Sequence, residues 1–210
     1  MRKLGYLTPR YIANRIRLQI YMRRNQDKPW LTPLANALLP DLLRPTDRGI
    51  EWGSGGSTAW FAERVQQLTS VEDDPQWYQL VTDKLRGKGV VNVDYRSLPS
   101  TSEGSPGDSP YVRIVDSFAD ESLDFALVDG SLRDHCAAAV LSKLAAGGLL
   151  IIDNAHWYLD HVTKSPASRY TLGPGTDVWA DVARRIANWR MIWTSSGVSD
   201  TGIWFKPTAW

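Results

Sequence analysis

A glycine-rich turn between an apolar run and a helical segment constrains the fold of this chain more than any other feature. The apolar run Ile50–Trp52 stops at Gly53–Ser57, and a helix-period pattern follows it. A second apolar run, Thr69–Val71, then ends in the acids Glu72–Asp74. The order strand, glycine turn, helix, strand and acid is typical of the first half of a nucleotide-binding α/β unit.

Each part of this pattern has a chemical use. Glycines let the backbone turn tightly and approach a ligand, and the start of the helix supplies free N–H groups. An acidic side chain at the end of the second strand can accept hydrogen bonds from both hydroxyls of a ribose. Gly53 and Glu72 stand close to the separation of about twenty residues that this geometry needs. The sequence therefore predicts a nucleotide-like ligand over the turn.

Strand-like and helix-like segments alternate along the rest of the chain. Leu123–Val128 and Leu149–Ile152 are near-continuous apolar runs, which suits strands buried on both faces of a parallel sheet. Arg190–Ser195 and Gly202–Lys206 flank a turn and predict a closing antiparallel hairpin. We therefore predict an α/β fold with a doubly wound, mostly parallel sheet of about seven strands.

Three local predictions complete this fold. Gln76–Arg86 is expected to be a helix with Trp77, Leu80, Val81 and Leu85 on its inner side. Leu132–Ala145 is expected to be a second, strong helix. Tyr111–Val115 is expected to be a short extra strand or an extended arm.

The N-terminal part of the chain is basic and helical in pattern. Arg2–Lys28 carries eight basic residues against one acid, and Ile12, Ile16 and Ile20 recur at helical spacing. Such a helix could pack on the domain with a solvated basic face, form a lid over a substrate pocket, or contact anionic lipid or an acidic partner. We divide the chain into a helical extension or lid, residues 1–46, and a Rossmann-like domain, residues 47–210.

Composition narrows the setting in which the protein works. The net charge of +1 gives no general reason to expect nucleic acid as a partner, and no run is long and apolar enough for a transmembrane segment. One cysteine, Cys136, excludes an internal disulfide and fits a cytoplasmic location. Self-association through the amphipathic N-terminus is left open, so a homo-oligomer is one possible state.

Taken together, these residues resemble a class I S-adenosylmethionine-dependent methyltransferase over about residues 49–206. Glu51–Ser57 is similar to the family's glycine motif, and Glu72 matches its ribose-binding acid. The terminal hairpin also matches the family and differs from dehydrogenases. The resemblance implies that Glu51 lies near the ammonium group of the cofactor, although it could instead brace the turn. The residues assigned to S-adenosylmethionine are Glu51, Gly53, Ser54, Gly55, Gly56, Ser57, Glu72, Asp73 and Asp129.

Polar side chains also follow the two apolar runs at the edge where parallel strands end. Asp129 follows one run, and Asp153 and Asn154 follow the next. Two carboxylates and an amide oxygen suit Mg²⁺, and the pattern resembles metal-dependent catechol-type O-methyltransferases. The lysine base of those enzymes is missing here. In the alternative interpretation, Asp153 and Asn154 contact substrate directly or cap the next turn.

The same edge supplies candidates for catalysis and for substrate binding. Asp129–Cys136 is similar to a segment of small bacterial methyltransferases encoded among glycan-modifying enzymes, and Arg133 could grip an anionic group or brace the loop. His156 is the best-placed histidine for a general base, with Asp129 as a second candidate catalytic residue. The residues assigned to the substrate are Arg133, Asn154, Trp157 and Tyr158.

The predicted activity is O-methylation of a small polar or glycan-like substrate. Two other classes stay open at this point. One is an NAD-type dinucleotide-dependent oxidoreductase or epimerase, which the terminal hairpin disfavours. The other is a non-catalytic module that keeps the fold and binds S-adenosylmethionine.

Overall fold

A seven-stranded sheet runs through the computed structural model, which describes residues 8–208. The strands are β1 (Arg48–Trp52), β2 (Gln67–Glu72), β3 (Val93–Ser97), β4 (Leu123–Val128), β5 (Leu144–Asp153), β6 (Arg190–Ser195) and β7 (Asp200–Phe205). Their order across the sheet is β3-β2-β1-β4-β5-β7-β6, and β7 runs antiparallel to both neighbours. The predicted parallel sheet with a closing antiparallel hairpin is confirmed.

Helices cover both faces of this sheet. They are α1 (Pro9–Arg24), α2 (Pro33–Leu42), α3 (Gly56–Ala62), α4 (Pro75–Gly87), α5 (Pro110–Arg113), α6 (Arg133–Val140) and α7 (Asp177–Ile186). Side chains alternate along each strand, so Ala126 and Val128 join one apolar core while Phe125 and Leu127 join the other. The first core includes residues of α6 and α7, and the second includes residues of α2 and α3.

One of the local predictions is wrong, and two are wrong in part. Residues 110–113 form α5 instead of a strand, because Pro110 stands at the first helical position after Ser109, whose Oγ accepts the N–H of Val112. The helix predicted to reach Ala145 ends at Val140, because Leu144 already pairs in the sheet. The α4 helix is confirmed, and Val81 and Leu85 are buried as predicted, but Trp77 and Leu80 are 39% and 62% exposed.

The predicted N-terminal helix is present as α1, and residues 1–7 lie outside the described part of the chain. The segment after α1 lies on the glycine turn, since a Cβ atom on Gly56 would come within 3.0 Å of the carbonyl oxygens of Gln26 and Lys28. Asp27 fixes this segment through ion pairs with Lys84 and Lys88 at 3.6 and 3.5 Å. No helix within residues 8–208 is long and apolar enough to cross a membrane.

Candidate functional site

The glycine turn lies where the carboxyl ends of β1 and β4 meet. Gly53 has φ +89°, and its N–H donates to the carbonyl of Val71 at 3.0 Å. A Cβ atom on Gly53 would lie 2.7 Å from the backbone nitrogen of Gly130, so only glycine fits. The N–H of Asp129 donates to the carbonyl of Trp52 at 3.0 Å. The turn therefore lies directly beside Asp129, the acid that follows β4.

Glu51 lies beneath this turn and is fully buried. Its Oε1 accepts from the hydroxyl of Thr58 and from the Oγ of Ser70 at 2.7 Å. Since Thr58 Oγ1 also accepts the N–H of Gly55 at 3.1 Å, the carboxyl group braces the turn. Burial raises the pKa of Glu51 from 4.5 to about 7. Its Oε2 has no hydrogen-bond partner among residues 8–208, so one acceptor is left for a buried donor such as an ammonium group.

Glu72, the predicted ribose acid, is 6% exposed and has four donors from its own chain. Its Oε2 accepts from the N–H and Oγ of Ser54 at 3.1 and 2.7 Å. Its Oε1 accepts the backbone N–H groups of Asp73 and Asp74 at 3.0 and 3.1 Å. The Ser54 Oγ is also 2.6 Å from the hydroxyl of Tyr95. A carboxylate has about four acceptor positions, so all those of Glu72 are filled.

The acids that follow β4 and β5 come together around Arg133. The guanidinium donates to the carbonyls of Gly130, Asp153 and Asp129 at 2.9, 2.7 and 2.6 Å. It also pairs with the Oδ1 of Asp129 at 2.9 Å, and its side chain is only 15% exposed. Arg133 therefore fits the alternative in which it braces the loop better than the one in which it binds an anionic group of the substrate. Its N–H groups bond to carbonyl oxygens at the ends of β4 and β5.

Asp153 is the more deeply buried of the two acids, at 4% exposure. Its Oδ1 accepts from the Oγ1 of Thr201 at 2.8 Å. Burial, and then the charge of Asp129, raise the pKa of Asp153 well above its ordinary value. Burial also raises the pKa of Asp129, and the neighbouring guanidinium of Arg133 opposes this rise.

This arrangement does not fit the magnesium site expected at Asp129, Asp153 and Asn154. The Asp129 carboxylate is already neutralised by a guanidinium, and a divalent cation there would stand beside a fixed positive charge. The Oδ1 of Asp153 already accepts a hydrogen bond from the hydroxyl of Thr201. Within residues 8–208, no group of three or more His, Cys, Asp or Glu side chains could hold a metal ion. We derive no step through a metal.

A cavity of about 580 Å³ opens above the glycine turn and these acids. Its floor includes the turn itself, and its walls come from the segment around α1, from α4 and from the ends of β4 and β5. The indole N–H of Trp77 donates to the carbonyl of Ser54 at 2.8 Å, so the α4 helix leans over the turn. The lining residues are Met22, Gln26, Trp30, Gly53, Ser54, Gly55, Gly56, Ser57, Trp77, Leu80, Val81, Lys84, Asp129, Arg133, Asp153 and Asn154.

Six predicted site residues do not line this cavity: Glu51, Glu72, Asp73, His156, Trp157 and Tyr158. His156 is fully buried with neither ring nitrogen hydrogen-bonded within residues 8–208, and burial lowers its pKa. The ring of Tyr158 stacks on Trp179 with centroids 5.1 Å apart, and Trp157 is 46% exposed. The base role of His156 stays a prediction, and its position counts against it. Asn154, with φ 52°, does line the cavity.

Some lining residues were not predicted as part of the site. Trp77 lies five residues after the ribose acid, and this short separation could have indicated a side chain above the turn. Nothing local in the sequence indicates that Met22, Gln26 and Trp30 reach the same cavity, because their placement depends on how the N-terminal segment folds back.

Solved structures similar to this chain include methyltransferases and methyltransferase-like proteins. A methyltransferase from Geobacter sulfurreducens has 14% identity and a TM-score of 0.56, covering 98% of this chain and 94% of that one. A methyltransferase-like protein from Silicibacter pomeroyi has 20% identity and a TM-score of 0.57, covering 85% and 89%. A Streptococcus mutans protein in complex with SAH has 13% identity and a TM-score of 0.53, covering 82% and 96%.

These likenesses define the class of the fold. The chain has the Rossmann-like fold of class I S-adenosylmethionine-dependent methyltransferases, as the sequence resemblance implied. At the level of sequence, no protein-family model and no curated protein matches the chain.

Proposed function

We propose that this protein is a methyltransferase that uses S-adenosylmethionine. One observation carries the proposal: the glycine turn, to which the ribose acid is bonded, and the acidic ends of β4 and β5 line a single cavity of about 580 Å³. This volume falls within the range of about 300 to 1,000 Å³ typical of small-molecule sites. The sulfonium group of the cofactor would supply an already activated methyl group.

The methionine part of the cofactor is assigned to the turn, and its ammonium group to the free oxygen of Glu51. That oxygen is buried and has no partner within residues 8–208, so it can accept a charged donor without losing another bond. The glycines at 53, 55 and 56 leave the turn without side chains above its backbone.

The ribose part is assigned to Glu72, and this requires an exchange of partners. Because the four acceptor positions of Glu72 are filled, ribose hydroxyls must displace donors, and Ser54 supplies the two bonds to Oε2. Ser54 lines the cavity and keeps a second partner in Tyr95 at 2.6 Å. We therefore propose that Ser54 competes with the ribose for Glu72. It occupies the Oε2 of Glu72 until the cofactor binds.

The acceptor is assigned to the other end of the cavity, where Asp129 and Asn154 lie. Asp129 lines the cavity with a raised pKa, so it suits removal of a hydroxyl proton near neutral pH. In this O-methylation, Asp129 would take the proton of the acceptor's hydroxyl group, and the bound cofactor would supply the methyl group to the acceptor oxygen. Trp30, at 65% exposure, gives the rim an aromatic face for a small polar or glycan-like acceptor.

Calorimetry with S-adenosylmethionine, S-adenosylhomocysteine and NAD tests the cofactor. We expect both sulfur compounds to bind and NAD not to bind. Ser54→Ala removes one donor that competes for Glu72, and we expect it to bind S-adenosylhomocysteine up to about fivefold more tightly. Ser105→Ala is a matched control, because Ser105 lies in another loop and bonds only the backbone there. Binding of NAD alone, or of none of the three ligands, would contradict the proposal.

Chelation tests whether the acids act without a metal. We expect methyl transfer and cofactor binding to be unchanged by EDTA, because the Asp129 carboxylate is paired with Arg133 at 2.9 Å. Loss of activity with EDTA and its recovery with Mg²⁺ would restore the magnesium site predicted from the sequence.

A further inference from the structure

The α1 helix exposes an apolar stripe to solvent. Ile12, Ile16 and Ile20 are 49%, 51% and 46% exposed, and their spacing of four residues places them along one side of the helix. Solvated helices usually turn such residues toward a core. Here the helix has no buried residue at all.

The opposite side of α1 holds the helix to the protein. Asn14, Leu18 and Tyr21 are half-buried, and the side chain of Asn14 contacts the hairpin turn at Gly197. Met22 lines the cavity at the other end of the helix. The isoleucine stripe therefore faces away from the domain and is exposed in the folded protein.

Arginines line both edges of the stripe. Arg15 and Arg23 each stand three residues after an isoleucine of the stripe, on one edge, and Arg17 and Arg24 stand seven residues apart on the other. All four are exposed, and α1 contains no acid. None of them forms an ion pair with a carboxylate of residues 8–208.

We propose that α1 docks on the surface of an anionic membrane, with the isoleucine stripe inserted at the level of the headgroups. In an anionic membrane, apolar acyl chains lie beneath negatively charged headgroups. The isoleucine stripe suits the acyl chains, and the long arginine side chains on both edges of the stripe can reach the headgroups. Charge disfavours a second copy of this chain on the same stripe, because a twofold contact between two α1 helices would set arginine against arginine with no acid to pair. A nucleic acid would use the arginines but gain little from the isoleucines.

Co-sedimentation of the full chain with lipid vesicles tests this docking. One set of vesicles contains two parts phosphatidylcholine to one part phosphatidylglycerol, and the other contains phosphatidylcholine alone. We expect binding to the anionic vesicles, much weaker binding to the neutral ones, and weakening with added salt. Arg17→Ala with Arg24→Ala should lower the partition coefficient roughly 30-fold, from about fivefold for each arginine.

Apolar and control variants complete the test. Ile16→Asp with Ile20→Asp should abolish vesicle binding while the melting temperature is unchanged, because both side chains are half exposed in the folded state. The matched control carries Val91→Asp and Arg86→Gln, which remove an exposed apolar and an exposed basic side chain from another part of the surface, and it should bind vesicles normally.

Three outcomes would overturn the proposal. The first is equal binding to neutral and anionic vesicles, or to neither. The second is a dimer, detected by light scattering, that Ile16→Asp with Ile20→Asp converts to a monomer while vesicle binding is absent. The third is tight binding of an RNA oligonucleotide that the isoleucine variant leaves unchanged.

Discussion

The buried carboxyl group of Glu51 gives the protein a stability that depends on pH in a defined direction. The side chain is fully buried, its Oε1 accepts from Thr58 and Ser70, and its Oε2 has no hydrogen-bond partner among residues 8–208. Burial raises its pKa from 4.5 to about 7. The folded state therefore binds a proton more tightly than the unfolded state does.

The sign and the size of the effect follow from this difference. A raised carboxyl pKa stabilises the folded state fully below about pH 4.5, and the stabilisation is lost as the pH rises through about 7. One pKa unit corresponds to about 1.36 kcal/mol, so a rise of about 2.5 units corresponds to roughly 3 kcal/mol. About 2.5 kcal/mol of this change falls between pH 5 and pH 8.

Glu51→Gln removes the titrating group and keeps an acceptor for Thr58 and Ser70. Urea unfolding at pH 5 and pH 8 should show that the wild type loses about 2 to 3 kcal/mol more than the variant over this interval. Glu63→Gln is the control, because the Glu63 side chain is 54% exposed at the end of α3. A difference between wild type and Glu51→Gln that stays constant from pH 5 to pH 8 would refute the assignment of the raised pKa to Glu51.

The remaining predictions concern the turn and its brace. Gly53→Ala should lower the free energy of unfolding far more than Gly89→Ala, because both residues have positive φ but only Gly53 would place a Cβ atom 2.7 Å from backbone; equal losses in urea unfolding would contradict this. Arg133→Lys should lower the free energy of unfolding by about 3 kcal/mol, because lysine cannot reproduce a fork that bonds three carbonyls. A melting temperature within a degree or two of the wild type would contradict that role.

The local chemistry of the glycine turn made the position of the turn and of the acid after β2 predictable. Gly53 and Glu72 are set by short-range geometry, since the turn needs a residue with positive φ and the acid follows a strand that pairs with β1. The mostly parallel sheet and its closing antiparallel pair followed from the alternation of strands and helices and from the terminal hairpin. The glycine turn with its acid and the alternation of strands and helices can each be recognised within about twenty residues of sequence.

Residues whose role depends on distant partners were harder to predict. Periodicity placed Trp77 on the same side of α4 as Val81 and Leu85, which are buried, but Trp77 lies at the cavity and is 39% exposed. Arg133 stands on the expected edge, yet only the folded chain brings three carbonyl oxygens to it. His156 follows Asn154 closely, but the left-handed backbone of Asn154 begins a turn that buries the imidazole.

A crystal structure with S-adenosylhomocysteine tests the central assignment most directly. We predict the methionine part along Gly53–Ser57 with its ammonium group at the Oε2 of Glu51. We also predict both ribose hydroxyls on Glu72, with the N–H and the Oγ of Ser54 released from that carboxylate and the Oγ retained by Tyr95. Density for the ligand away from the glycine turn, or a ribose bound while Ser54 still fills the Oε2 of Glu72, would contradict the assignment.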